Sequence, residues 1–251
     1  LNEKKYKKLQ QKLSGKCSSD EYGRIKICNI YFDTEDHLLI RSSLDKPVYK
    51  EKLRLRSYGI PLGNDKVFVE LKKKYKGVVY KRRIGMELNS AENYLYNLDP
   101  LTADSQIMNE INWFLNFYKN IEPAMYISYD RIAMYGIGDP ELRVTFDHNI
   151  LWREEDLWLE NGSYGSQLLG KGEYLMEIKV PGAFPLWLSQ ILDELKIYPV
   201  SFSKYGRAYT QGESVRQNNI EKGVLWECIQ ITLHNRLLIL VFLRKRQFFV
   251  T

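Results

Sequence analysis

Cysteine and histidine are scarce in this 251-residue chain, with three copies of each, and their scarcity limits the chemistry it can support. An odd number of widely spaced cysteines argues against a disulfide framework, against a cysteine-based zinc site and for a reducing cytoplasm. The histidines lack metal-ligand spacing. The residues concerned are Cys17, Cys28, Cys228, His37, His148 and His234.

Long apolar runs and familiar catalytic loops are also missing. The longest strongly apolar stretch, Leu237–Leu243, is far shorter than the roughly 20 residues that span a bilayer. Neither a Gly-x-Ser-x-Gly elbow nor a Walker A loop occurs. The sequence therefore predicts no transmembrane segment, no serine-hydrolase site of that type and no P-loop.

Positive charge is what the chain has in excess. The net charge is +6 and the pI is about 9.0, which favours an acidic partner. Between Tyr49 and Arg83, twelve lysines and arginines stand against three acidic residues. The 18 tyrosines are typical of β-rich structure. A basic, β-rich protein that binds a polyanion is the first prediction.

Periodicity and turn signals divide the chain into strands and helices. Strands are predicted at Ile25–Thr34, His37–Ser42, Tyr49–Ser57, Lys66–Lys74, Val78–Met86, Met125–Met134, Leu142–Asn149 and Glu173–Val180. Helices are predicted at Glu3–Leu13, Ser90–Leu98, Asp104–Tyr118 and Pro185–Leu195.

Several of these strands carry charge on one face, because side chains alternate faces along a strand. In Lys52–Arg56 the cations alternate with Leu53 and Leu55, and Glu70 and Lys72 likewise alternate with apolar neighbours. The remaining charged or polar faces are those of Tyr129 with Arg131, of Glu141, Arg143 and Asp147, and of Glu173, Glu177 and Lys179.

A strand with charged side chains on one face has two interpretations. Charged faces of strands usually meet water, while apolar faces meet a core. Alternatively, the strands curl into a barrel whose polar lumen binds a phosphate chain, with helices over the apolar outside. The mixture of arginine, lysine and glutamate on at least four strands favours the lumen, because arginine and lysine bind phosphate. Nucleic acid is not expected, since its basic residues more often lie on helices or loops.

Two further residues keep alternative roles. Glu177 either neutralises Lys179 or an arginine, or it holds Mg²⁺ or Mn²⁺, which prefer oxygen ligands shared with phosphates. Ser203, followed by Lys204, either caps a helix or lies at a helix start that binds an anion; the two roles are compatible.

An ordered set of segments resembles a known family, the VTC domain. This is the polyphosphate polymerase module of the vacuolar transporter chaperone complex, within the CYTH-like triphosphate tunnel metalloenzymes. The resemblance covers about residues 1 to 210. The segments are Asn29–Thr34, Tyr49–Gly59, Val67–Tyr75, Tyr80–Arg83, Ser128–Arg131, Glu141–Val144, Tyr174–Lys179 and Ser201–Gly206.

The resemblance implies an α+β fold, an antiparallel tunnel of about eight strands with flanking helices. It also implies transfer of the γ-phosphate of ATP to a polyphosphate chain, helped by Mn²⁺ or Mg²⁺. The implied phosphate-binding catalytic residues are Arg54, Arg56, Lys72, Arg131 and Lys204. Further substrate-binding residues are Tyr129, Arg143, Lys179, Ser203, Lys81 and Arg83, and Glu177 is the implied metal ligand.

Two other functions fit the same tunnel: hydrolysis of triphosphate or tripolyphosphate, and polyphosphate binding without catalysis. Eukaryotic members add an SPX domain and membrane spans that are not found in this sequence. We therefore expect a stand-alone, prokaryotic-type cytoplasmic module whose candidate partners include a membrane protein.

The two ends of the chain depart from the family pattern. Residues 1–212 are assigned to the tunnel domain, and residues 213–251 form a C-terminal extension of unknown role. Family members carry a strand directly before the first helix, so we expect truncation here or replacement by another segment. Asn235–Val250 is one candidate for that replacement.

Overall fold

The computed structural model describes residues 1–97 and 105–217. The chain divides into a unit Leu1–Arg207 and a unit Ala208–Thr251, and of the second only residues 208–217, which are helical, are described. The predictions made for Asn235–Val250 and for Leu237–Leu243 therefore lie outside the described residues, as do Leu98 and Asp104 at two predicted helix ends. The proposed division at residue 212 stays a prediction.

The described residues of the first unit form eight strands and five named helices. The strands are β1 (Cys17–Thr34), β2 (Tyr49–Tyr58), β3 (Lys66–Tyr75), β4 (Val78–Glu87), β5 (Ile121–Gly136), β6 (Asp139–Arg153), β7 (Ser166–Gln167) and β8 (Leu175–Lys179). The helices are α1 (Glu3–Leu13), α2 (Leu38–Leu44), α3 (Leu88–Tyr96), α4 (Gln106–Tyr118) and α5 (Leu186–Glu194). A further helical segment begins at residue 204. No helix among the described residues has the length and apolar character that crossing a membrane would need.

One antiparallel sheet holds all eight strands, in the order β4-β3-β2-β1-β5-β6, with β7 and β8 both paired to β6. The predicted strands Lys66–Lys74 and Val78–Met86 correspond to β3 and β4, which form a hairpin with Tyr75 opposite Val78 across the turn. The α+β class with an antiparallel tunnel-type sheet is confirmed.

The sheet is curled, as its electrostatics indicate. Lys72 on β3 and Glu177 on β8 are separated by five strand intervals, which would place them about 24 Å apart in a flat sheet. Burial lowers the pKa of Lys72, yet Glu177 is close enough to raise it in part. Within the described residues the curl stops short of a closed barrel, since β4 and β8 do not pair with each other.

The apolar side chains lie on the outer face, under the helices. One core cluster joins β1, β2 and β3 to α3 and α4, with Leu55 and Ile111 among its fully buried members. A second joins β6 to α1 and α5, around Leu9 and Phe146. Because both clusters occupy the outer face, strand alternation turns the charged side chains inward.

Helix α2 replaces a predicted strand, and the prediction of a strand at His37–Ser42 was wrong. The carboxylate of Asp33 accepts hydrogen bonds from Leu39 N at 2.8 Å and Ile40 N at 2.9 Å. Thr34 Oγ1 accepts another from Leu38 N at 2.9 Å. These side chains satisfy the free N–H groups of the first turn, which stabilises a helix over a strand.

The start of the chain lies beside the segment that leads into β8. Leu1 and Tyr174 exchange two backbone hydrogen bonds of 2.7 Å, and Asn2 forms an antiparallel bridge with Glu173. Asn2 then caps α1 by accepting a hydrogen bond from Lys5 N. The expectation of a strand before the first helix stays a prediction.

Candidate functional site: the inner face of the curled sheet

The register of the sheet gathers most of the predicted site residues on one surface, here called the inner face. Cross-strand partners share a face, and one such row runs Tyr31, Arg54, Glu70 and Arg83 across β1 to β4. A parallel row pairs Lys52, Lys72 and Lys81. On β5, β6 and β8, the same face carries Tyr129, Arg131, Arg143, Asp147, Glu177 and Lys179.

Glu70 is the counter-ion for one group of inner-face cations. Its side chain is 1% exposed and its carboxylate lies 2.6 Å from Arg54 Nη2 and 2.9 Å from Lys81 Nζ. Arg83 and Arg56 lie farther away, at 3.4 and 3.7 Å. Burial favours a raised pKa, but Arg54, Arg56 and Lys81 outweigh it and lower the pKa of Glu70 to about 2. One carboxylate therefore holds several cations without neutralising them all.

Tyrosine and asparagine side chains orient the two arginines of β2. Arg56 donates from Nε to Asn29 Oδ1 at 2.9 Å and from Nη2 to Tyr129 Oη at 3.3 Å. Arg54 donates from Nη1 to Tyr31 Oη at 3.1 Å. Burial favours a raised pKa for Tyr31, but Arg54, Lys52 and Arg56 lower it to about 8. This lowering indicates a strongly positive potential at the inner face.

Asp147 holds the second group of cations. Arg131 binds its carboxylate through two hydrogen bonds of 2.6 and 2.8 Å. Lys204 Nζ lies 2.6 Å from Oδ2 of the same carboxylate and 4.4 Å from the centre of the Tyr129 ring. Burial favours a raised pKa for Asp147, but Arg131 and Lys204 lower it. Both carboxylates thus stay ionised and are engaged by protein cations.

Ser203 joins the helical segment to the inner face. Its Oγ accepts a hydrogen bond from Gly206 N at 3.1 Å, which caps the segment, and another from Lys52 Nζ at 3.1 Å. Lys52 also lies 5.8 Å from the ring of Tyr205, whose hydroxyl donates to Asp33. Burial lowers the pKa of Lys52 to about 8. The predicted capping role of Ser203 is present, and it coexists with a cationic neighbour.

Glu177, Lys179 and Arg143 lie toward the β8 edge. The Glu177 side chain is about half exposed, 51%, and its carboxylate forms an ion pair with Lys179 at 3.4 Å. Arg143 lies directly across from Lys179 and reaches Asp20 at 3.9 Å. Sequence positions place Arg143 four residues before Asp147 on β6, so it lies at a different level of the inner face from the Asp147 group.

A metal fits this face only if the substrate supplies part of its coordination. Within residues 1–97 and 105–217, no group of three or more histidine, cysteine, aspartate or glutamate side chains could hold a metal. Glu70 and Asp147 are occupied by cations, whereas Glu177 projects a half-exposed carboxylate near Lys72 and Arg131. Mg²⁺ commonly binds one or two carboxylates plus substrate phosphates, and Glu177 suits that arrangement.

Sequence reasoning missed three residues that the inner face contains. It placed Lys52 on the charged face with Arg54 and Arg56 by strand alternation but gave it no role in the site. Tyr31 and Asn29 needed the pairing of β1 with β2. Tyr58, which accepts a hydrogen bond from Arg83 Nη2 at 3.0 Å, required knowledge of the side-chain conformations.

A family model agrees with this geometry. The model of the VTC domain matches residues 1–211. No curated protein matches the chain.

Two solved structures are similar to this chain. A Bacillus halodurans crystal structure, named for a candidate adenylate cyclase, aligns with a TM-score of 0.52 and 15% identity, over 81% of this chain and 89% of that one. A Pyrococcus horikoshii OT3 structure aligns with a TM-score of 0.40 and 14% identity, over 82% and 94%. At such identity the first of these shows a shared fold alone.

Proposed function

Because the chain belongs to the VTC domain family, whose members are polyphosphate-related tunnel enzymes, we propose that it is a polyphosphate polymerase. It transfers the γ-phosphoryl group of ATP to a polyphosphate chain bound on the inner face. The observation that carries the proposal is the excess of cations on that face over the carboxylates Glu70, Asp147 and Glu177.

The transfer needs positioning and charge neutralisation more than a protein nucleophile. A terminal oxygen of the polyphosphate attacks the γ-phosphorus, and the bond to the oxygen bridging the β- and γ-phosphates breaks. ADP leaves, and the chain is one phosphate longer. Fixed cations that bind the equatorial oxygens stabilise the transition state more than they would in water.

The two groups of cations suit different parts of this work. Arg54 and Arg56 are held by Glu70, Tyr31 and Asn29, so their guanidinium groups are positioned before substrate binds. Arg131 and Lys204 are positioned in the same way by Asp147. Lys72 forms no ion pair among the described residues and is open to the inner space, where it supplies a point charge to phosphate.

A bound Mn²⁺ or Mg²⁺, held through Glu177 and phosphate oxygens, would neutralise charge on the phosphates. The protein's own residues contribute the rest. Tyr129, which contacts Arg56 and lies under the Lys204 ammonium group, can donate its hydroxyl hydrogen to phosphate. Lys81, Arg83, Arg143, Lys179 and Ser203 extend the binding surface to either side.

Incubation with ATP and Mn²⁺, followed by gel analysis of chain length, tests the proposal. The matched variants are Arg54→Ala on the inner face and Arg41→Ala on α2, where the exposed Arg41 guanidinium group pairs with Asp36, a residue that precedes the helix. We expect long chains with wild type and Arg41→Ala, and at least about 10²-fold slower synthesis with Arg54→Ala. Free phosphate without chains would show a hydrolase instead, and binding without turnover would show a non-catalytic module.

A further inference from the structure

A group of large apolar side chains is exposed on the outer face of the sheet, at the tip of the β3–β4 hairpin. We call it the aromatic patch: Tyr49, Tyr75, Val78, Tyr80, Trp113 and Phe117. Each of these residues is between 44% and 61% exposed. Such a concentration is unusual for a surface that meets only water.

Strand register and ring contacts show that the patch is continuous. Tyr75 lies opposite Tyr49 on one side and opposite Val78 on the other, so the three share a face. The rings of Tyr49 and Tyr75 are 6.5 Å apart. Tyr80 lies opposite Lys73 on the same face.

Helix α4 contributes the other half of the patch. Lys73 Nζ lies 6.0 Å from the centre of the Trp113 ring, which connects the strands to the helix. Trp113 in turn stacks on Phe117 at 4.8 Å. The patch therefore extends from the hairpin tip onto α4.

Cations surround the patch. Lys76 lies in the hairpin turn, 5.4 Å from the Tyr75 ring, and Lys119 follows α4 two residues after Phe117. Within the described part of the chain, neither Lys76 nor Lys119 forms an ion pair. Glu110, the carboxylate of this region, is held by Lys73 at 3.3 Å and Arg82 at 2.9 Å.

We propose that the aromatic patch docks the protein on an anionic lipid bilayer. Tryptophan, tyrosine and phenylalanine rings insert at the level of the headgroups, and lysine stems lie along apolar surface with their charges at the anionic lipids. A second copy of the chain fits less well. A two-fold contact through the patch would bring Lys73 and Lys76 of both copies together without enough carboxylates between them.

This inference does not rest on the polymerase activity. The patch lies on the outer face, whereas the phosphate-binding residues lie on the inner face. Docking would place a polyphosphate-handling protein beside a membrane, but the docking itself is a property of the hairpin tip and α4 alone.

Vesicle co-sedimentation of the full chain tests the docking, with phosphatidylcholine vesicles and with vesicles that also contain phosphatidylglycerol. We expect binding to the anionic vesicles, weak binding to the neutral ones, and loss at high salt. Trp113→Ser with Phe117→Ser, and separately Lys76→Glu with Lys119→Glu, should each weaken binding about tenfold or more.

Two controls make the result specific. Tyr198→Ser with Val200→Ser removes exposed apolar residues outside the patch, and Arg54→Ala removes an inner-face cation; both should bind vesicles like wild type. Equal binding by the patch variants and wild type, or no binding to anionic vesicles, overturns the proposal. The proposal is also overturned if wild type forms a concentration-dependent dimer and the variant Trp113→Ser with Phe117→Ser does not. In that case a second copy of the chain covers the patch.

Discussion

Replacing Glu70 with glutamine should weaken the fold while raising its affinity for polyanions. Glu70 is 1% exposed and contacts Arg54 and Lys81 at 2.6 and 2.9 Å, with Arg56 and Arg83 within 3.7 Å. Glutamine keeps the shape and removes the charge. The cations then repel one another across the inner face without their counter-ion.

The size of the effect follows from the pKa of the carboxyl group. A pKa lowered from 4.5 to about 2 corresponds to about 3 kcal/mol of stabilisation when the group is ionised. Because the folded-state pKa is the lower one, this contribution is fully present above pH 4.5 and is lost as pH falls toward 2. The free energy of unfolding of Glu70→Gln should therefore be about 3 kcal/mol smaller at neutral pH, or about 6–12 °C in Tm.

Thermal unfolding with and without tripolyphosphate is the assay. Glu122→Gln, at an exposed position on β5, is the control and should unfold like wild type. Tripolyphosphate should raise the Tm of Glu70→Gln more than that of wild type, since the ligand supplies the missing negative charge. A Tm within about 2 °C of wild type, or loss of tripolyphosphate binding, would refute this description of the Glu70 group.

Three more predictions concern the metal ligand, pH and salt. Glu177→Gln should lose metal-dependent turnover but still bind tripolyphosphate by calorimetry; equal metal dependence in variant and wild type would reduce Glu177 to a partner of Lys179. Tripolyphosphate affinity should fall several-fold between about pH 7 and about pH 9, because Lys52 loses a positive charge and Tyr31 gains a negative one near pH 8. The double variant Lys52→Met with Tyr31→Phe should not show that fall. If its affinity falls with pH as that of wild type does, neither group is responsible for the pH dependence. Fluorescence anisotropy at several salt concentrations should show polyphosphate binding weakening less steeply than for an open cationic surface; a steep loss would argue that the chain binds outside the inner face.

The sequence supplied the inner face because strand alternation is a local property. Within Lys52–Arg56 and Val67–Lys72, the faces assigned from alternation match those in the structure. The hairpin turn at Lys76 and Gly77 sets the register that brings Lys81 and Arg83 beside Glu70. The structure places both residues on the inner face, whereas their role in binding phosphate stays a prediction.

Contacts between distant segments could not be predicted in this way. That Asp147 engages both Arg131 and Lys204 depends on how the sheet curls, which no local pattern encodes. The two-residue strand β7 is too short for a periodic signal, and α2 depends on capping by Asp33 and Thr34. The cytoplasmic location stays a prediction from the cysteine content.

A structure determined with tripolyphosphate and Mn²⁺ tests the central claim most directly. The account predicts phosphates on the inner face, in contact with Arg54, Arg56 and Arg131, and anomalous scattering from Mn²⁺ next to Glu177 and a phosphate oxygen. Phosphates bound only on the outer face, or Mn²⁺ bound away from Glu177 with the inner face empty of phosphate, would contradict it.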